Sequence, residues 1–228
     1  MILIYLICGQ WISPSEIYLE GIDRLELPDF EYASRMGRII KLIARMRRVE
    51  EKGNNYLQAF VLPMMLPREN VLSKIDGSTN ALSLKGRFSE DISLIGKGAG
   101  SLPTASAIVS DLNRVARNEK PIPLPSNTEL FQLMPFNESF FRHTLRFEVY
   151  DEPGIVGMIG KILAESGINI YALEQLPQYH RIGDAERESV IFTITLEPCS
   201  EGVLWEALDK INLASFMIQP VNVLRESL

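Results

Sequence analysis

The stretch TLRFEVYDEPGIVGMIGKILAESGINI, residues 144–170, sets the architecture of the chain's second half. Thr144–Tyr150 alternates apolar and polar residues, the period of a half-buried strand. Asp151-Glu152-Pro153-Gly154 is a turn, and Ile155–Ser166 repeats its apolar residues at helical spacing, stopping before Gly167. Ile168–Leu176 then reads as a second strand. Continuing outward, Ser189–Leu196 is strand-like, Ser200–Asn212 helical, and Phe216–Leu224 strand-like again. The order is βαββαβ, a ferredoxin-like arrangement.

Upstream, Asn118–Asn137 carries Pro121, Pro123, Pro125 and Pro135 and keeps no periodicity, which predicts an interdomain linker. The expected division is therefore 1–120, a linker at 121–142, and a second domain at 143–228, with an α+β fold throughout. Before the linker, Asp29–Arg48 is expected as one helix, with Phe30, Ala33, Met36, Ile40 and Ile43 on one side and the cationic cluster Arg45, Arg47, Arg48 at its end. Tyr56–Leu62, Asn80–Lys85 and Asp91–Ile95 are expected strands, and Pro103–Arg117 a second helix opened by its proline.

Composition removes several classes of function. Of the 228 residues, 46% are hydrophobic and 23% charged, a globular balance. The net charge of −6, without a basic run, argues against a nucleic-acid surface. Cys8 and Cys199 lie far apart, and with two histidines at unrelated spacing they suggest neither a disulfide framework nor a metal site. A reducing cytoplasmic location follows as the simplest expectation. Met1–Cys8 (MILIYLIC) is apolar but too short to cross a membrane, which needs about 20 residues, and no cation precedes it as in a signal peptide. It is expected as a buried helix or strand.

Chemistry concentrates at Gly96-Lys97-Gly98-Ala99-Gly100, between an expected strand and an expected helix. Glycines allow close backbone approach to an anion, and a helix start offers free N–H groups. The dinucleotide fingerprint is incomplete, because Ser101 stands where a third glycine belongs and no acidic strand end follows at the required distance. A tight turn with positive φ explains the glycines equally well. His143 and His180 are expected to be solvated, as are Glu186, Arg187 and Glu188; Trp205 and the Met64-Met65 pair are expected in the core.

Several blocks resemble homoserine dehydrogenases. They are Glu20-Gly21-Ile22, Asp29 to Ala33, Gly37 with Ile40–Ala44, Val61-Leu62-Pro63, Asn80-Ala81, and GKGAGSLPTASA at 96–107 followed by Asp111. They span nearly all of residues 10–117 in the expected order, and the glycine–PTASA block is the most specific. The resemblance implies an NAD(P)-dependent oxidoreductase in which Gly98 and Gly100 lie against the cofactor, with the surrounding elements forming the substrate half and the dimer interface. It also implies that the family's nucleotide-binding domain and catalytic Asp–Lys pair are missing, with Met1 placed just after the lost lysine. No catalytic residue is assigned, the cofactor is expected only if that domain is supplied, and the chain is expected to be inactive alone.

Residues 144–226 are similar to ACT domains, through Asp151-Glu152-Pro153-Gly154-Ile155-Val156 and Gly167-Ile168-Asn169-Ile170. The likeness implies a small amino acid, threonine foremost, bound by Asp151, Pro153, Gly154, Asn169 and Ile170, with the Pro153–Gly154 corner and Asn169 facing one pocket. It also implies pairing of chains as homodimers or higher oligomers, and a partner chain carrying the N-terminal half is a further expectation. Two alternatives stay open: a non-enzymatic amino-acid-binding regulator, and an inactive gene fragment.

Overall fold

The computed structural model describes residues 1–51, 53–86, 90–120, 123, 130–175 and 188–227. In chain order its elements are α1 (Ile2–Cys8), β1 (Tyr18–Leu19), α2 (Leu27–Arg35), β2 (Arg38–Glu51), β3 (Asn54–Pro67), β4 (Thr79–Leu84), β5 (Ile92–Lys97) and α3 (Ser101–Ala116). After them come β6 (Gln132–Leu133), β7 (Phe140–Tyr150), α4 (Ile155–Glu165), β8 (Ile170–Gln175), β9 (Ser189–Leu196), β10 (Cys199–Ser200), α5 (Glu201–Asn212) and β11 (Asn222–Glu226). The fold is mixed α+β. Among the described residues no helix is long and apolar enough to cross a membrane.

The expected helix at 29–48 is a short helix followed by a long strand. α2 stops at Arg35, and Gly37 takes φ +67°, where a residue with a Cβ is strained. The chain then turns back as β2 and pairs antiparallel with β3 from Arg38↔Pro67 to Glu51↔Asn54. Ile40 and Ile43 fit helical spacing as well as a strand; fourteen residues of ladder pairing settle the competition. Arg45, Arg47 and Arg48 accordingly lie along a strand. β3 also runs past its expected end at Leu62, through Pro63. On the side away from β2 it carries three short strands end to end: β6 at Tyr56–Leu57, β1 at Phe60–Val61 and β11 at Met64–Met65, all parallel. Pro63 falls in the gap between the last two.

The second half has the expected βαββαβ order, in a sheet running β11-β7-β9-β8. Leu145, Phe147 and Val149 on β7 alternate toward α4 and α5, meeting Ile159, Leu163, Leu204 and Ile211 in the largest apolar core. Thr144 and Arg146 point to the opposite face, which α2 covers. There the buried Tyr32 hydroxyl meets Thr195 Oγ1 at 2.7 Å, and Arg146 donates to Asp29 at 2.8 Å. The two halves share one sheet, because β11 pairs with β3 on one side and β7 on the other.

The described part of the expected linker is packed. Met134 is buried, its N–H donates to the Leu57 carbonyl, and Phe136 stacks on Tyr18 with ring centroids 3.7 Å apart. α1 buries Ile4 and Cys8 and leaves Ile2, Leu3, Leu6 and Ile7 exposed, so only one side of it is core. His180, Glu186 and Arg187 lie outside the described residues.

Candidate functional site

β4 and β5 form an antiparallel hairpin that pairs with no other strand among those described. β5 leads through the glycine loop into α3. Gly98 donates its N–H to the Ser78 carbonyl at 3.2 Å, and a Cβ there would meet the exposed Asn80 side chain, which would have to move aside. Gly100, with φ +124°, caps α3, and its carbonyl accepts from the Thr104 hydroxyl at 2.9 Å. The whole loop is exposed. Glycines at 96, 98 and 100 beside a 16-residue helix start form a backbone edge to which an anion can come close. They fit one edge of a dinucleotide site and no more, since the flanking strands are antiparallel and the parallel βαβ unit that cradles a whole cofactor is not formed here.

α3 buries no residue at all. Its apolar residues, among them Leu102 at 82% and Val115 at 76% exposure, lie open to solvent. The hairpin exposes Ile92, Leu94 and Ile95 similarly. At the root of this arm stands a lysine–aspartate couple: the Lys41 ammonium donates to Asp76 at 2.7 Å and to the Ile75 carbonyl at 2.6 Å. Lys41 lies on β2, not on a helix, and the Asp76 carboxylate is exposed.

A second polar cluster lies where the halves meet. His143, expected to be solvated, is fully buried on β7. Its Nε2 is 2.9 Å from Glu201 Oε1, and its Nδ1 is 3.4 Å from Cys199 Sγ. Arg225 from β11 grips Glu201 through two nitrogens and reaches Glu20 at 2.9 Å. Cysteine, histidine and glutamate in line suggest a nucleophile with its base, but the electrostatics oppose that use. Burial, reinforced by Glu201, pushes the Cys199 thiol up to about 11, so it stays protonated at neutral pH. Burial alone would also raise Glu201, yet the hydrogen bonds from His143 and Arg225 outweigh it and hold the carboxyl below its ordinary value. The cluster is a structural tie. Nearby, a cleft of about 490 Å³ is lined by Tyr18, Leu19, Ala59, Met134 and Phe136. Burial and Glu20 raise Tyr18 to about 12.

The Asp151–Gly154 turn opens a smaller cavity of about 140 Å³, lined by Asp151, Gly154, Val156, Leu173, Gln175 and Phe192. Pro153 sits at the exposed corner beside it. Asn169 and Ile170 do not line it. Register explains why: Tyr150 pairs with Ser189 and Gln175 with Phe192, whereas Ile170 pairs with Leu196. The corner and Asn169 are thus at opposite ends of β8, and the expectation that they face one pocket within a chain is corrected. Asn169 uses its carbonyl to accept from Glu197 N at 2.9 Å. Among the described residues no group of three or more His, Cys, Asp or Glu is placed to hold a metal ion.

Residues 1–112 match the family model described as homoserine dehydrogenase. A homoserine dehydrogenase of Neisseria gonorrhoeae is 32% identical over 176 residues, covering 73% of this chain and 40% of that protein. One of Helicobacter pylori is 34% identical over 171 residues, covering 75% and 40%. In structure, a homoserine dehydrogenase from Thiobacillus denitrificans superimposes with a TM-score of 0.80 at 28% identity, covering 99% of this chain and 51% of that one. By sequence and by fold the chain is similar to homoserine dehydrogenases, whose family model its residues 1–112 match, and it spans about half or less of their length.

Proposed function

We propose that this chain forms the substrate-side and regulatory part of an NAD(P)-dependent homoserine dehydrogenase, which interconverts L-homoserine and L-aspartate 4-semialdehyde. It acts together with a nucleotide-binding half, on the same polypeptide or a separate one. The observation that carries this reading is the arm. A glycine loop shaped for close backbone approach leads directly into a helix whose apolar side is bare. Such a contiguous exposed surface marks an interface, and a nucleotide-binding half docked on it lies against Gly98 and Gly100. The nicotinamide, when bound, supplies or accepts the hydride; this chain's loop lends backbone N–H groups and the shape of one wall. Reduction of a carbonyl also needs a proton donor within hydrogen-bond reach. This reading assigns that donor to the nucleotide-binding half, so turnover needs both halves together.

Mixing the chain with the N-terminal half of the Neisseria relative and following nicotinamide absorbance tests this. Turnover is expected only in the mixture, and a stable but inactive complex would overturn the proposal.

A second reading concerns the βαββαβ unit, and the cavity beside Asp151 and Gly154 favours it. As in the ACT domains it resembles, this unit takes a small amino acid, threonine first, and does so in paired chains. Ligand at about 100 times its dissociation constant stabilises the fold by about 2.7 kcal/mol. Calorimetry and thermal shift with threonine, isoleucine, methionine, serine and homoserine check it; silence with all five sinks the sensing role and leaves the enzyme reading intact.

A further inference from the structure

The arm meets the body at a narrow polar root. β4 and β5 pair only with each other among the described strands, and α3 buries nothing, so no broad surface sets the arm's direction. Lys41 stands at that root. It lies on β2 in register with Met64, inside the 14-residue ladder, and its side chain is only 23% exposed, a post rather than a loose surface cation. Two of its ammonium bonds go to the stalk of the arm, to the Ile75 carbonyl at 2.6 Å and the Asp76 carboxylate at 2.7 Å. The stalk continues into the glycine loop. The Asp76 carbonyl accepts from Thr79, the first residue of β4, and the Ser78 carbonyl accepts from Gly98.

We propose that Lys41 is a positioning residue: by holding Ile75 and Asp76 it fixes the angle at which the arm leaves the sheet, and with it the place of the Gly96–Gly100 loop. The structural part of this proposal stands alone; its consequence for cofactor binding rests on the enzyme reading above.

Hydrogen exchange on the full chain tests the structural part. In Lys41→Met, peptides spanning 75–84 and 92–98 should exchange faster by about tenfold or more, the scale of a lost hydrogen bond to a charged group. Peptides from β7 and β9 should keep their rates. Lys41→Arg, which can still donate to both acceptors, should restore protection. Asp76→Ala, at an exposed position that folding tolerates, should give a smaller rise in the same peptides. An unchanged arm, or a rise spread evenly over both sheets, overturns the proposal.

The functional part is read in the reconstituted enzyme, where Lys41→Met should raise KM for the cofactor while kcat stays within about twofold. A looser arm with an unchanged KM would overturn that part. If no added half yields activity, the enzyme reading fails while the exchange data still decide the role of Lys41.

Discussion

At the residue scale, the tie between Glu201, His143 and Arg225 shows how much one buried carboxylate can govern. It accepts from both neighbours, and removing its charge leaves buried Arg225 with Glu20 as its remaining carboxylate partner. Glu201→Gln should destabilise the protein by about 3–5 kcal/mol, measured by urea unfolding at neutral pH. The acid side follows from the sign of the shift. Glu201 is held below its ordinary value near 4.5, so the unfolded state takes up its proton first. Its contribution is fully present above that value and is lost as pH falls below it toward the folded-state pKa. Unfolding free energy should therefore drop less steeply with acid in Glu201→Gln than in the parent; equal slopes would contradict the assignment. Little of this was legible in the sequence. His143 stands next to a proline-rich stretch and has no partner within several residues, and its partners come from α5 and β10. The polar residues at 144 and 146 looked like a wet strand face, whereas α2 seals that face with Asp29 and Tyr32.

Among the elements, the contrast between the two halves is instructive. From 144 to 212 the helix and strand boundaries agreed with the structure to within a few residues, because each element buries one face in a single core and its period is undisturbed. Between 29 and 48 the same reasoning merged a helix and a strand. The signal that separates them is Gly37, which the expected helix at 29–48 would hold in mid-span. Its φ of +67° and the empty space around its missing Cβ identify a conformational need. Gly37→Ala should cost about 1–2 kcal/mol from backbone strain alone, seen as a lower midpoint in thermal unfolding without loss of the native circular-dichroism spectrum; an unchanged midpoint would mean the turn relaxes freely. The glycine loop was legible as a turn before a helix, and Pro103 placed that helix well. Periodicity gave α3 an apolar side but could not say what covers it, since the missing cover belongs to no part of this chain that the structure describes.

For the molecule as a whole, β11 matters most. It lies inside the sheet between β3 and β7, and Arg225 and Glu226 on it reach Glu20 and Arg38 of the first half. The sequence pattern suggested two domains on a tether, because a parallel pairing between distant strands leaves no local trace. One shared sheet should unfold as one unit. Fluorescence from Trp11 and Trp205 should track far-ultraviolet circular dichroism through a single denaturant transition, and two resolved transitions would refute that unity. The sharing has a price in time. Asn222 reaches Asp29 across 193 positions and Tyr32 reaches Thr195 across 163, and pairing over such spans is slow to nucleate. Until β11 arrives, part of β3 presents open backbone to any neighbouring molecule, a template for intermolecular addition. Refolding yield from denaturant should therefore decline as the concentration of chains rises, even where the finished protein stays dispersed.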